Sequence, residues 1–322
     1  MKVLVVGGAG YIGSHMVKML GQKGCSVTTL DDLSSGHRDA VLCGEFVQGD
    51  MAERALLDSV LSKGFDAVMH FASFIQVGES VQQPAKYYQN NVVNTLTLLD
   101  AMRAHGVNRF IFSSTAATFG EPQYTPIDEH HPQQPINPYG RTKLMVEHIL
   151  ADFEKAYGLR SVALRYFNAA GADPEGQLGE RHDPETHLVP LVLQAASGRR
   201  PHISVFGRDY DTPDGTCIRD YIHIEDLCSA HWLALQSLMG GAASQAYNLG
   251  NGQGFSVQEV IDTAERVTGR KITVVDSPRR AGDPARLAAD ATQARQKLGW
   301  QPRYPDLSTI VEHAWRWETR AH

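Results

Sequence analysis

A short apolar run, Lys2–Val6, leads without a break into Gly7-Gly8-Ala9-Gly10-Tyr11-Ile12-Gly13, and a helical pattern through Ser14, Val17 and Leu20 follows at once. Few folds are built around such a junction. Gly7 permits the tight turn, Gly10 lets the backbone approach a pyrophosphate, and Gly13 lets the helix lie close on the strand. Tyr11 and Ile12 open that helix, whose free N–H groups and positive dipole end face the anion. A second strand ends at Leu30 and is followed by Asp31 and Asp32, eighteen residues beyond Gly13. A carboxylate there can accept both ribose hydroxyls of an adenosine and would repel a 2′-phosphate, so the expected dinucleotide is NAD and not NADP. The glycine spacing alone is weak evidence; strand, helix and acid together give it weight.

The rest of the first half repeats the rhythm that this junction starts. Ser26–Leu30, Glu45–Val47, Asp66–His70, Arg109–Ser113 and Ser161–Arg165 read as short strands, and helical patterns fall between most of them. Parallel strands need crossover connections, and those are right-handed helices, so the alternation predicts an α/β Rossmann-type fold with a doubly wound parallel sheet. After Asn168 the pattern breaks into Gly-, Pro- and Asp-rich stretches, Ala169–Pro184 and Gly207–Gly215. Helices are expected near His187–Ser197, Ile224–Leu238, Ser256–Thr268 and Leu307–Thr319. The expected division is therefore a dinucleotide-binding part, 1–168, with segments near 221–250 returning to it, and a smaller, loop-rich C-terminal substrate part, 169–322.

Composition removes several function classes. The 322 residues are 42% hydrophobic, enough for a sizeable core, and the formal charge of -6 gives no basic field for a phosphate backbone. Nucleic acid is not an expected partner. The first apolar run is far too short for a signal-peptide core or a membrane span, which places the protein in the cytoplasm and away from membranes. Cys25, Cys43, Cys217 and Cys228 show no C-x-x-C spacing and suit reduced, packed thiols. His130 and His131, in a Pro-rich loop, and His182 read as surface residues. No Cys or carboxylate pattern is seen to complete a metal site around His182 and His187, so no metal is expected.

A second constellation carries reactive chemistry. Phe112-Ser113-Ser114-Thr115 closes a strand, and Tyr139-Gly140-Arg141-Thr142-Lys143 opens a helical pattern that continues through Val146, Ile149 and Phe153. Tyr139 and Lys143 lie four apart and share one helix face. A phenol near pKa 10 is a poor base at neutral pH, but an adjacent ammonium and a positive nicotinamide ring would both stabilise its phenolate. Tyr139 could then take a proton from a sugar hydroxyl that Thr115 orients. A bare Tyr-x-x-x-Lys is common and usually means a packed Tyr and a solvated Lys; the nucleotide turn before it changes that reading.

In these motifs the chain resembles the extended short-chain dehydrogenase/reductase family, and within it the bacterial UDP-glucose 4-epimerases. Similar stretches run along nearly the whole chain, among them GGAGYIGSH (Gly7–His15), HFAS (His70–Ser73), YYQNNV (Tyr87–Val92), FSSTAATFG (Phe112–Gly120), NPYGRTKLMVE (Asn137–Glu147), LRYFNAAGA (Leu164–Ala172), DGTCIRDYIHIEDL (Asp214–Leu227) and RRAGDPARLAAD (Arg279–Asp290). The resemblance implies that Ser35 and Gly36 join Asp31 and Asp32 at the adenosine, with Asp50 and Met51 at the adenine. It further implies Phe71, Ala72, Ser73, Asn91 and Ser113 along the cofactor, and Tyr166 and Phe167 beside the nicotinamide. Asn168, His187, Leu188, Phe206, Arg219, Arg280 and Asp283 would line the UDP-sugar. Two guanidinium forks also suit a diphosphate on chemical grounds.

That resemblance implies a resident NAD and a reaction in which Tyr139 takes the proton from sugar O4 while the C4 hydride leaves. A 4-keto sugar turns over in the pocket, and the hydride returns on its other face. The chain departs from some relatives at Ile75, where they carry Lys, at His187, where several carry Asn, and at Leu287, a position that is Tyr in forms resembling hexose-only enzymes and small in those admitting N-acetyl sugars. UDP-N-acetylglucosamine, UDP-pentose and UDP-uronate therefore stay open as substrates. A 4,6-dehydratase would need acids just after the strand-end Thr, where this chain has Ala116 and Ala117. A non-catalytic NAD-binding module would be expected to lose the Tyr or the Lys. Relatives pair the helices around Asn91–Ala104 and Arg141–Phe153 across a two-fold axis, and Leu96, Leu99, Leu144 and Ile149 exceed what one sheet face needs, so a homodimer is expected.

Overall fold

The computed structural model describes residues 1–280 and 283–320; Ala281 and Gly282 of the RRAGDPARLAAD stretch, and the last two residues of the expected C-terminal part, lie outside the described residues. The first half runs β1 (Lys2–Val6), α1 (Tyr11–Gln22), β2 (Ser26–Asp31), β3 (Glu45–Gln48), α2 (Arg54–Leu61), β4 (Ala67–His70), α3 (Val77–Gln82), α4 (Pro84–Tyr88), α5 (Thr95–Ala104), β5 (Arg109–Thr115), α6 (Pro138–Tyr157) and β6 (Arg160–Tyr166). The second half adds β7 (Asn168–Ala170), α7 (Leu188–Ser197), β8 (Ile203–Phe206), β9 (Ile218–Arg219), β10 (Tyr221–His223), α8 (Ile224–Met239), β11 (Gln245–Leu249), β12 (Phe255–Ser256), α9 (Val257–Thr268), β13 (Val274–Ser277), β14 (Arg286–Leu287), α10 (Thr292–Leu298) and α11 (Leu307–Glu318).

Seven strands form one sheet in the order β11-β6-β5-β4-β1-β2-β3, every neighbouring pair parallel. The order reverses at β1, the switch point at which a doubly wound sheet opens a crevice for ligands. Alternation along β1 shows how both faces become core. Val3 and Val5 point to one side, packed with Met16, Val17 and Leu20 of α1 and Leu227 and Leu235 of α8. Leu4 and Val6 point to the other, packed with Leu57 of α2, Leu98 and Leu99 of α5 and Val146 and Leu150 of α6. Leu99, expected as surplus apolar surface, is fully buried in that layer, whereas Leu96 is 42% exposed. A third core gathers α7, α9 and α11 around Val192, Val205, Ile261, Ile310 and Val311.

Three features differ from the sequence-based expectation. Gln89–Asn94, ahead of α5, is wound as a π-helix, a wider turn that periodicity of 3.6 does not reveal. His131 is buried and not at the surface: its Nε2 accepts from the Gln123 amide at 2.9 Å, and its ring packs on Phe119 and Tyr124. His182 is likewise only partly exposed, with its ring edge-on to Tyr11. Other histidines pack as neutral rings, because burial pushes His70 down to about 3 and His15 and His231 to about 4. Among the described residues no helix is long and apolar enough to cross a membrane.

Candidate active site

The loops that follow β1, β2, β4, β5 and β6 all leave the carboxyl edge of the sheet, and they carry most of the residues singled out from the sequence. After β1, Gly7 adopts φ 80°, and a Cβ there would lie 2.4 Å from the Ala72 nitrogen of the loop after β4. A Cβ on Gly13 would lie 2.1 Å from the Gly7 carbonyl oxygen. Side chains at either position would push the turn off the strand or the helix off the turn. Beside this turn an open cleft is lined by Gly7, Gly10, Asp31, Asp32, Ser35 and Gly36 together with Asp50, Met51, Phe71, Ala72 and Ser73. Ser34, Gly49, Phe74 and Asn90 line it too, and no sequence signal had singled them out.

Asp31 has a structural task beside the one expected of it. Its Oδ2 accepts from the Ala9 amide at 2.9 Å and its Oδ1 from the Leu33 amide at 2.8 Å, so the carboxylate braces the Gly-rich turn. Burial pushes its pKa up against these two hydrogen bonds. Tyr11 reaches the other way: its hydroxyl donates to the Gly171 carbonyl at 2.7 Å and ties the turn to the second half. Lys18 of the same helix adds ion pairs to Asp173 and Glu175, each at 2.8 Å. Asn91 is buried; its Oδ1 accepts from the Phe74 amide, and its Nδ2 donates to the Phe74 carbonyl and to Thr142 Oγ1. It fixes the loop after β4 against α6, while its neighbour Asn90 lines the cleft.

The start of α6 is set by local rules. Asn137 caps it, its Oδ1 accepting from the Gly140 amide at 2.8 Å, and Pro138 occupies the first turn, where its missing N–H costs nothing. Gly140 is required by proximity, since a Cβ there would meet the Ala117 carbonyl oxygen at 2.3 Å. This close approach brings Tyr139 to the end of β5, where the Thr115 side chain lies near enough to its hydroxyl to favour the charged form. One turn on, Lys143 is buried, and its ammonium donates to Ser73 Oγ at 2.7 Å and to the Ser113 carbonyl at 2.8 Å. Lys143 thus joins the cleft wall to the Tyr139 helix. Ser113 Oγ and the Tyr166 hydroxyl are hydrogen-bonded partners beside it.

The electrostatics correct one expectation. The neighbouring ammonium was expected to favour the Tyr139 phenolate, but in the protein alone burial dominates and pushes the phenol up to about 12. Burial also pushes Lys143 down to about 7, opposed only by the charge of Glu147. Both groups are therefore held in an environment that resists charge, and an added positive charge beside Tyr139 is what would lower its pKa.

The substrate-side residues converge at the small sheets of the second half. Arg219 donates to Asp283 Oδ1 at 3.0 Å and to the Pro284 carbonyl at 2.9 Å. The Arg280 guanidinium lies 3.9 Å from the Phe206 ring centre. Leu287 stands opposite Arg219 in the β14–β9 register. Phe167 and Asn168 follow β6 directly, and Asn168 donates from Nδ2 to the Asp220 carbonyl at 3.0 Å. His187 caps α7, just before Leu188, but its Nδ1 is turned to Glu180.

Two residues that the sequence did not single out hold this arrangement. Asp220, fully buried, accepts amides from Asn251, Gly252 and Ala289 and so holds two separate segments against its own. Glu147 pairs with Arg165 at 2.5 Å and accepts from Ser114, which ties α6 to β5 and β6. Its position, four residues past Lys143 and eight past Tyr139, was the signal that could have found it. The reason given for excluding a metal also fails: Glu180 and Glu185 interleave with His182 and His187 in one cluster.

Residues 3–250 match the NAD dependent epimerase/dehydratase family. The chain belongs to this family. It is 53% identical to the UDP-glucose 4-epimerase of Halalkalibacterium halodurans over 98% of its own length and 95% of that protein. The crystal structure of the Brucella ovis UDP-glucose 4-epimerase in complex with NAD superposes with a TM-score of 0.96 at 53% identity, covering 98% of this chain and 97% of that one. The Stenotrophomonas maltophila UDP-glucose 4-epimerase, with bound NAD and formylated UDP-arabinopyranose, superposes with a TM-score of 0.95 at 41% identity, covering 99% and 98%. Family membership agrees with the cleft geometry: the glycines at 7 and 13 let the turn pack on the loop after β4 and under α1, Gly10 lines the cleft, and Asp31 stands at the end of β2.

Proposed function

We propose that this enzyme interconverts UDP-glucose and UDP-galactose by oxidation at sugar C4, turning of the 4-keto sugar and re-reduction. The observation that carries the proposal is the placing of Tyr139 beside Thr115 at the end of β5, with Lys143 of the same helix bonded to Ser73 in the wall of the Gly-rich cleft. Gly7, Gly10, Tyr11, Ile12 and Gly13 would hold the pyrophosphate, with Asp31, Asp32, Ser35 and Gly36 at the adenosine, Asp50 and Met51 at the adenine, and Ser113, Tyr166 and Lys143 toward the nicotinamide. Bound NAD supplies a hydride acceptor and a positively charged ring. Tyr139 takes the O4 proton as C4 is oxidised and gives it back on reduction, while Thr115 orients the hydroxyl. Arg219, Arg280, Asn168 and Asp283 hold the UDP handle, which leaves the sugar ring free to turn.

Dehydration is disfavoured by the turn after Thr115, where Ala116 and Ala117 place no carboxylate and Thr115 Oγ1 accepts from the Ala117 amide at 3.1 Å. A second reading, 4-epimerisation of UDP-pentoses or N-acetylhexoses, draws on Leu287 opposite Arg219, an apolar residue that lies in size between the Tyr and the small residues of relatives. A panel separates the two. Purified protein with no added NAD should convert UDP-galactose faster than UDP-N-acetylgalactosamine or UDP-arabinopyranose; the reverse order would select the second reading, and no conversion of any would overturn both.

In this proposal the dinucleotide part comprises 1–168 together with residues near 221–250, where β11 pairs with β6, and the substrate part takes the remainder. A homodimer through α5 and α6 draws on the exposure of Val93, Leu96 and Met145, each above 40%. The enzyme is placed in the cytoplasm, where nucleotide sugars and reduced thiols such as its four free cysteines are found.

A further inference from the structure

The loop between β7 and α7 folds four chemically matched side chains onto one point. Glu180, His182, Glu185 and His187 present ligand atoms that all lie within 4.8 Å of one another. Glu180 Oε1 is 3.0 Å from His182 Nδ1 and also touches His187 Nδ1, and Glu185 Oε1 is 3.6 Å from His182 Nδ1. Both carboxylates are 95% buried, since each side chain is only 5% exposed. Burying two carboxylates is costly unless cations accompany them. Among the described residues, neither has a Lys or Arg in its ion pairs; the two imidazoles, with ring centres 5.2 Å apart, are the ion-pair partners.

We propose that Glu180, His182, Glu185 and His187 form a site for one divalent transition-metal ion, zinc by preference, that closes this loop. A dication balances the two carboxylates and accepts the lone pairs of two neutral imidazoles, so no like-charged rings need to face each other. Four-coordinate zinc with bonds of about 2.0–2.1 Å has ligand-to-ligand edges of roughly 3.3 Å, close to the spacing of this cluster. Two nitrogen donors select against magnesium and calcium, which prefer all-oxygen shells. The Glu185 carboxylate is already aimed, because its Oε1 accepts from the Thr186 and His187 amides at 2.7 and 2.8 Å.

With four protein ligands the shell is closed, and the ion is structural: it activates no water. Its effect is on the loop. His182 packs edge-on against Tyr11 of the Gly-rich turn, and His187 directly precedes Leu188, the first residue of α7. The ion would therefore lock the span that joins the dinucleotide turn to the substrate side, and His187 would serve the loop and not the sugar. This inference is independent of which nucleotide sugar is turned over.

The test uses the whole enzyme with its dinucleotide. After dialysis against a chelator and back into buffer with zinc, followed by gel filtration, the metal content should be one zinc per chain and the melting temperature should rise. Cobalt in place of zinc should give the visible bands of a four-coordinate ion. The double variant His182→Ala/Glu185→Gln should lose both signals, and His130→Ala, at an exposed histidine, should keep them. Wild-type protein that retains no zinc and shows no four-coordinate cobalt spectrum overturns the proposal, as does a double variant that binds the ion as wild type does.

Discussion

Tyr139→Phe should lower turnover of UDP-galactose by about 10²- to 10⁴-fold while the dinucleotide stays bound and KM changes little. The variant keeps the ring and removes only the hydroxyl that faces Thr115. Nothing in the cleft lined by Gly7, Gly10 and Asp31 is touched, so retention of the dinucleotide separates a chemical defect from a binding one. The size of the effect follows from the site's poverty in other bases. Lys143 spends its ammonium on Ser73 and the Ser113 carbonyl, and the residues after Thr115 are alanines. The phenol sits at about 12 in the protein alone, so without the charge of the bound cofactor it would be a sluggish acid and base near neutrality. Single-turnover measurement on the purified variant, with bound dinucleotide determined after denaturation, checks the prediction. A near-normal rate would remove Tyr139 from the chemistry.

Glu147→Ala should destabilise the protein by about 3–5 kcal/mol, because it leaves the Arg165 guanidinium buried without its counterion. The pair is bidentate, with Arg165 Nε at 3.0 Å from one carboxylate oxygen and Nη2 at 2.5 Å from the other, and the two side chains are 8% and 9% exposed. Gln133 bridges both partners at 3.2 Å. The same carboxylate accepts from Ser114, next to Thr115, so the loss should also loosen the seat of Tyr139. Replacing both partners, Glu147→Leu with Arg165→Met, should restore much of the lost stability, since paired apolar side chains avoid the uncompensated charge. The midpoint of urea unfolding reads both variants. A single variant as stable as wild type would show that the pair holds nothing.

The sheet was legible because each of its first six strands is a short β-branched or apolar run set off by turns, and the junction at Gly7–Gly13 fixed their order of use. β11 was harder to see: Gln245–Leu249 is a strand only because β6 offers it an open edge. The nucleotide cleft was readable from glycines whose missing side chains let the turn pack tightly, as at Gly7 and Gly13. Tyr139 and Lys143 were readable from helical spacing, but their ionisation was not, since burial depends on everything packed around α6 and reversed the expected direction for Tyr139. Long-range partners stayed hidden for the same reason. Nothing local says that Asp220 will meet the amides of Asn251 and Ala289. His131 looked like a loop residue because polarity says nothing of the pocket that Phe119 and Tyr124 make for it.

The most direct measurement follows the hydrogen at sugar C4. UDP-galactose deuterated at C4 should be converted by the purified enzyme, without added NAD, to UDP-glucose that still carries the deuterium at C4, with no label appearing in water. That result is the one expected when the same hydride leaves and returns within one closed site, as Tyr139 and Thr115 beside a dinucleotide cleft predict. Replacement of the C4 deuterium by solvent hydrogen would contradict it and point to proton exchange at carbon instead.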